Sequence, residues 1–476
     1  MSDPFLCIKV EKVKRFAIIP IFFDMQAAYK IELTQTLKLA IPIIVAQVGV
    51  VLMGITDTMM IGSMLGKTAL GVAGISNSLA FLIASIAVGG LHVVSPLISK
   101  AKAEQDEEEI YYLYKGMMSV VFGLGIVLTI LVGVIAWYFD WLEQPAAVAI
   151  DAPLFLFILA ISHFANYYFL GIKQVLDGLS KPGVAMNITI AGLACNILFN
   201  YLLMKGFLFI PALGAVGAAY STLFTRVLMG FIIWYYLKKE SENVYLAENK
   251  VIHLDLIRLK KIVLKLYKLV IPSGLALFFE VGAFTFTFIM MGWLGETQMA
   301  AHQVALNFVS AAYMVAAGIS YASGIRVGDG RGRKDLQQIK RAGNVCFILI
   351  SIFMAISSVF IILFDKPIMQ MYIHEPEVIE VAVSLLWIGG ILAIFDGLQV
   401  GGLSVLRGLS DVNIPTAFTL FAYWVIALPL GYYLGIHAGL GAEGIYYGLY
   451  AGLACASILV VTRFYLLIKS AAILKG

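Results

Sequence analysis

The sequence predicts an all-α polytopic membrane protein of about 12 transmembrane helices in two pseudo-symmetric six-helix lobes. Three observations carry that prediction. Hydrophobic residues make up 61% of the 476 and charged residues 13%, with a mean hydropathy of +0.92, far from the balance of a soluble domain. At about 1.5 Å of rise per residue the apolar runs are long enough to cross a hydrocarbon core roughly 30 Å thick. Two short motifs also recur at one spacing. LKLAIP at 37–42 returns as YKLVIP at 267–272, and VLDGLS at 175–180 returns as VLRGLS at 405–410, each 230 residues later. Shared greasiness does not produce two matches at one offset, so the second half reads as a copy of the first.

The elements follow in chain order. Residues 1–35 form an N-terminal arm in which Lys9 to Arg15 precede the short apolar run FAIIPIFF. That pattern resembles a signal peptide, but Pro20 interrupts it, Asp24 ends it and no A-x-A site follows. A surface-lying segment, or a true start at Met25 that makes residues 1–24 spurious, are the two readings it leaves. Residues 36–238 hold spans one to six, and residues 263–470 hold spans seven to twelve. Between them, 239–262 is the longest polar stretch and reads as a solvated tether with headgroup contacts. Lys and Arg number about 25 in the arm and alternate loops, against about 3 in the opposite loops. By the positive-inside rule both termini are cytoplasmic. Six helices per copy is even, so the copies share one orientation about an axis along the membrane normal, a transporter plan in which one half rocks against the other.

Charged groups inside such spans are the functional candidates. Glu280 sits in the middle of VLKLYKLVIPSGLALFFEVGAFTFTFIMMGWLG, where an ionised side chain costs roughly 2.5–3.5 kcal/mol by insertion scales. Pro272, eight residues earlier, removes a backbone donor and is expected to loosen the helix. Asp396 lies at similar depth in span ten, so a cation site between spans seven and ten is open to both acids. In span eight, Gln303, Asn307 and Ser310 fall on one helical face that lines a cavity or ties helices together, with His302 beside it. Phe284 and Phe288 flank Glu280 and are candidates to touch a greasy cation. The first half carries Asp57 in span one, Asn196 and Asn200 one turn apart in span five, and Thr222 in span six. Together they form an oxygen-rich set suited to a proton, Na⁺ or K⁺.

Other features narrow the class. Asp177, Lys181, Arg326, Arg331, Arg333, Arg407 and Asp411 sit at span ends, where headgroup contacts, capping and loop pairing are the expected roles. The glycines of RVGDGRGRKD lack the strand and the Gly-Lys-Ser/Thr ending of a phosphate loop, so ATP hydrolysis on this chain is not expected. No nucleophile elbow, HExxH or Ser/His/Asp pattern points to an enzyme. Cys7, Cys195, Cys346 and Cys455 form no CxxC or disulfide framework. No basic-aromatic surface suggests nucleic acid, and the +4 formal charge is a topology signal.

At this point the chain resembles the multidrug and toxic compound extrusion (MATE) family, in its bacterial NorM-like branch. The resemblance runs from about Leu33 to Leu467 and is carried by FFEVGAF (279–285), AAHQVALNF (300–308), ISYASGIRVG (319–328), FDGLQVGGLSVLRG (395–408) and GAVGAAYSTL (214–223). It implies a V-shaped pair of lobes in a bacterial inner membrane, working as a monomer. Such a protein exports amphipathic organic cations, drugs and dyes among them, in exchange for Na⁺ or H⁺, with no other cofactor. Glu280 and Asp396 match the family's C-lobe acids that bind the coupling cation, Na⁺ in some members. Asp57 matches the N-lobe aspartate, with Asn196, Asn200 and Thr222 beside it. Leu392 departs from the pattern, standing where some NorM-type proteins place a tyrosine against the cation. The rival is a lipid-linked glycan flippase of the same superfamily. It would need an Arg- or Lys-rich cavity, and only Arg226 lies deep in a first-half span.

Overall fold

A computed structural model of the protein describes residues 8–142, 144–206, 211–241, 255–370 and 375–470, with side chains from Ala27 onward. The first seven residues of the arm and 242–254 of the expected tether lie outside the described residues, as does Cys7. Among the described residues the only regular secondary structure is helical, and twelve helices are long and apolar enough to span a membrane. They are α1 (Ile8–Leu65, its membrane-length part Ala27–Leu65), α2 (Lys67–Ala103), α3 (Glu107–Trp137), α4 (Ala152–Gly178), α5 (Pro182–Lys205) and α6 (Gly214–Ser241). The second half supplies α7 (Leu256–Leu294), α8 (Glu296–Gly332), α9 (Leu336–Leu363), α10 (Pro376–Gly408), α11 (Asn413–His437) and α12 (Gly441–Ser470).

Local chemistry sets where helices start. Asp106, Asp255 and Asp335 cap α3, α7 and α9 by accepting backbone N–H bonds from Glu109, Ile257 and Gln338. Pro182 and Pro376 occupy first-turn positions, where the missing N–H is not needed. Pro272, by contrast, sits inside α7, which continues through it, and the Pro272 carbonyl accepts a bond from the Thr416 hydroxyl at 2.7 Å. A neighbouring helix thus supports the backbone there. In α11 the turns widen to π geometry over Phe421–Ala427 and again over Tyr433–His437, on either side of Pro429.

The duplicated sequence becomes duplicated packing. In the first half α1 packs on α5, α2 on α4, α3 on α4, α4 on α6 and α5 on α6; every one of these pairs recurs six helices later. Across the seam the pairs exchange: α1 meets α8 as α7 meets α2, and α1 meets α9 as α7 meets α3. Glycines let the seam close, Gly274 and Gly318 among them. A Cβ on Gly274 of α7 would lie 2.0 Å from the Ile86 carbonyl oxygen of α2, and one on Gly318 of α8 would lie 2.4 Å from the Ile44 side chain of α1. Ile44 and Gly274 are themselves 230 residues apart, so the two approaches are related by the repeat.

The seam is apolar at one end. Because the helix count is even, both chain ends lie there, and we call it the terminal end. One buried cluster joins Ala40 and Ile43 of α1 to Ala316–Val327 of α8, and another joins Ala84–Ala101 of α2 to Ile262–Val270 of α7. At the far end each cluster stays within its own lobe: Ile61, Val72, Leu156 and Ala219 in the first, Met290, Ala301, Leu385 and Ile445 in the second. The lobes are therefore sealed together at the terminal end.

Candidate functional site

The acids lie just past that seal. Glu280 stands on α7 two turns beyond Ser273, whose hydroxyl donates across the seam to the Gly89 carbonyl at 2.9 Å. It is 7% exposed. Its two oxygens accept from different helices: Oε2 from the Gln399 amide of α10 at 3.0 Å, and Oε1 from the Tyr313 hydroxyl of α8 at a long 3.4 Å. Gln399 is held by a second bond, the Tyr423 hydroxyl of α11 donating to its Oε1 at 2.7 Å. This fixes the amide so that its NH₂ faces Glu280. Tyr423 emerges from the π-turns of α11 and is fully buried.

Asp396 is 5% exposed on α10, one turn before Gln399, and close enough to Glu280 for the two charges to interact. It makes no hydrogen bond among the described residues. Two carboxylates meeting in a desolvated pocket repel, and a captured proton or small cation with hard oxygen ligands relieves that repulsion. Glu280, Asp396 and the hydroxyls of Tyr313 and Tyr423 make a donor set of that kind.

In the other lobe, the four residues singled out from sequence also meet. Asn200 of α5 donates to Asp57 Oδ1 at 2.5 Å, and Thr222 of α6 donates to Asp57 Oδ2 at 3.2 Å. Asn200 also reaches Asn196 Oδ1 at 3.4 Å. Asn196 Nδ2 and Asn200 Oδ1 are buried without partners, so the set keeps unused hydrogen-bonding capacity. Arg226, one turn beyond Thr222, donates to Ser162 at 2.8 Å, contacts His163 at 3.4 Å and lies within electrostatic range of Asp57.

The remaining candidates divide. Gln303 and Asn307 are exposed and bonded to each other at 3.4 Å, and Ser310 is half-buried. Asn307 and Gln303 stand three and four turns before Gly318, the residue that abuts α1, so the stripe continues the α8 face turned toward the N-lobe. Phe284 and Phe288 are half-buried and make their ring contacts inside the C-lobe. Phe284 packs on the C-lobe cluster with its ring 6.4 Å from Tyr423, and Phe288 lies 5.9 Å from His302, which in turn bonds Tyr446 at 2.9 Å. Their helical phase directs them into the lobe beside the acid.

Three residues read as ordinary helix-end charges make side-chain contacts inside the bundle. Arg407, 8% exposed, donates to Ser273 Oγ at 2.8 Å, which extends the cross-seam bond into α10 and sets a guanidinium within range of Glu280. Asp177 is 2% exposed and paired with Lys173 at 2.6 Å. Arg326 grips both oxygens of Glu32 on α1 at 2.7 and 2.9 Å, a bidentate pair joining the lobes. Helices pack around these positions beyond the apolar runs, and hydropathy does not register that. Tyr313, Gln399 and Tyr423 were missed outright. The one available signal was Gln399, a polar residue one turn from Asp396.

Comparison with known proteins sets this geometry in a family. Residues 42–202 and 272–433 match the MatE family, one match in each lobe, starting 230 residues apart. The "Multidrug resistance protein NorM" of Burkholderia vietnamiensis is 31% identical over 445 residues, covering 90% of this chain and 93% of that protein. The "Probable multidrug resistance protein NorM" of Acinetobacter baylyi is 29% identical, covering 92% and 97%. Among solved structures, the eukaryotic MATE transporter AtDTX14 aligns at a TM-score of 0.83 with 18% identity, over 93% of this chain and 99% of that one. The outward-facing conformation of a multidrug resistance MATE family transporter of the MOP superfamily aligns at 0.80, also with 18% identity, over 93% and 97%. With both lobes matched in sequence and the whole bundle matched in fold, this chain belongs to the MatE family.

Proposed function

We propose that the protein is a secondary active multidrug exporter of the inner membrane, exchanging amphipathic organic cations for inward-moving Na⁺ or H⁺. The observation that carries this reading is the acid pair Glu280 and Asp396, buried at the apex of a seam closed on one side only. The positive-inside rule makes the sealed terminal end cytoplasmic, so the cleft above the acids opens outward. The curated relatives' names supply the substrate class.

In this mechanism the driving ion enters from outside and binds at Glu280 and Asp396, cancelling their mutual repulsion. Substrate in the cleft meets the stripe Gln303, Asn307 and Ser310, and the ion reduces the negative charge that held its cation. Ser273 and Arg407 connect the acid pocket to the seam, so the charge state of the pocket biases seam closure. Ion and substrate move one another only because each prefers a different state of the cleft. Asp57 with Asn196, Asn200 and Thr222 forms a second, ion-linked site in the N-lobe.

The test is ethidium transport in inside-out vesicles under imposed Na⁺ or pH gradients, for the native protein and for Glu280→Gln. Gradient-driven transport by the native protein and its loss in the variant are the expected outcome. A well-expressed variant that still transports at the native rate removes Glu280 from the mechanism.

A further inference from the structure

We infer that a basic cleft at the terminal end of the lobe seam binds the phosphate headgroup of an acidic phospholipid, which then bridges the two lobes. The cleft holds about 530 Å³, within the size range of small-molecule sites. Five cations line it: Lys100 of α2, Lys261, Lys265 and Lys268 of α7, and Arg331 of α8. No carboxylate does, among the described residues. Lys100 and Lys265 are partly met at the rim, by Glu104 at 3.5 Å and Glu109 at 3.7 Å. Lys261, Lys268 and Arg331 make no ion pair among the described residues.

Arg331 supplies an independent pointer to a ligand. Its Nη1 donates to Ser410 at 2.6 Å, but its Nε is buried with no hydrogen-bond partner. A guanidinium half-satisfied by a hydroxyl keeps further N–H donors, in a planar array that suits phosphate oxygens. The rest of the wall is apolar, with Leu97, Leu264 and Leu269 facing the same space. Free phosphate would satisfy the charges and leave the leucines wet. A phospholipid satisfies both, and the cleft lies where headgroups do, since Lys261 is in the second turn of α7 and Arg331 in the last turn of α8.

The placement gives the ligand an effect. Lys100 and Leu97 belong to one lobe and the other lining residues to its partner, so an anion between them holds the seam shut, and parting the lobes there leaves the cations without a counter-charge. Acidic lipid therefore favours the state closed at the terminal end, by its difference in affinity for the two states. The bridging half rests on the alternating-access reading above; the binding half does not.

Native mass spectrometry of the full-length protein, counting retained phosphatidylglycerol, tests the binding. Each cation removed should weaken binding about fivefold, so Lys261→Gln with Lys268→Gln should lose roughly thirtyfold, whereas the Lys→Arg pair should keep it. Both lysines are exposed, so folding should survive either change. Equal retention in native and Gln-pair proteins, or loss in the Arg pair, overturns the site. Binding of inorganic phosphate as tight as that of phosphatidylglycerol overturns the lipid assignment in favour of a free-phosphate site. Spectroscopic distances across the terminal end in nanodiscs test the bridging: phosphatidylglycerol should shorten them relative to phosphatidylcholine, and an unchanged distance with binding intact overturns that half. Glu280→Gln should retain the lipid in full, which separates failure of this proposal from failure of the transport reading.

Discussion

The two lobes have the same helix packing and unlike charge. In the first, one carboxylate, Asp57, accepts from Asn200 and Thr222 and lies within range of one guanidinium, Arg226. In the second, two carboxylates, Glu280 and Asp396, face each other, and only Glu280 lies within range of a guanidinium, that of Arg407. The first site is balanced and the second carries one acid in excess. Even the repeated motif shows the divergence: the position that is Asp177 in VLDGLS, paired to Lys173 on its own helix, is Arg407 in VLRGLS and reaches Ser273 at the seam. A duplicated scaffold can thus divide labour by charge while its helix pairing is retained. On the proposed mechanism, the lobe with the excess acid is the one that captures the driving cation.

The sharpest way to break this contrast is to remove the excess. Glu280→Gln should lower gradient-driven dye export at least tenfold, within the range of about 5- to 150-fold set by a coupling free energy of 1–3 kcal/mol. Asp396→Asn should act in the same direction but less. It makes no hydrogen bond among the described residues, so its loss leaves no stranded partner there, and the ion concentration for half-maximal transport should rise about fivefold. Transport by either variant at the native ion dependence would end the assignment of the excess charge to ion capture.

The N-lobe offers the complementary test. Asp57→Asn leaves Arg226 without its acid and should lower stability by about 1 kcal/mol, discounted for the partial exposure of both groups. Adding Arg226→Gln should restore much of that loss. Thermal unfolding of the two single variants and the double one closes the cycle, and strictly additive losses would show that the pair is not balanced. The smallest effect belongs to Tyr423→Phe, which frees Gln399 to rotate away from Glu280. One hydrogen bond is worth about 0.5–1.5 kcal/mol, so ion affinity should weaken two- to tenfold while maximal rate holds.

The acids were legible in the sequence for a simple reason. Glu280, Asp396 and Asp57 stand out against apolar runs, and the cost of charge in lipid marks them before any fold is known. Asn196, Asn200 and Thr222 were legible by helical spacing and by resemblance. Tyr313 and Tyr423 were not, because 23 tyrosines offer no contrast and the widened turns of α11 that carry Tyr423 leave no mark in the apolar pattern. Arg407 and Arg326 close apolar runs, which suggests headgroup contacts, capping or loop pairing. In the folded chain neighbouring helices extend past those runs, burying Arg407 and half-burying Arg326.

Composition, the 230-residue repeat and the intramembrane acids were enough by themselves to specify a twelve-helix, two-lobed bundle and to mark where charge must be managed. These are local and periodic properties, readable along one dimension. Which acid gains a partner amide, which arginine ties one lobe to the other, and which end of the seam is shut depend on residues hundreds of positions apart meeting at close range. Those encounters arise from the phase and tilt of packed helices, and only the tertiary structure decides them.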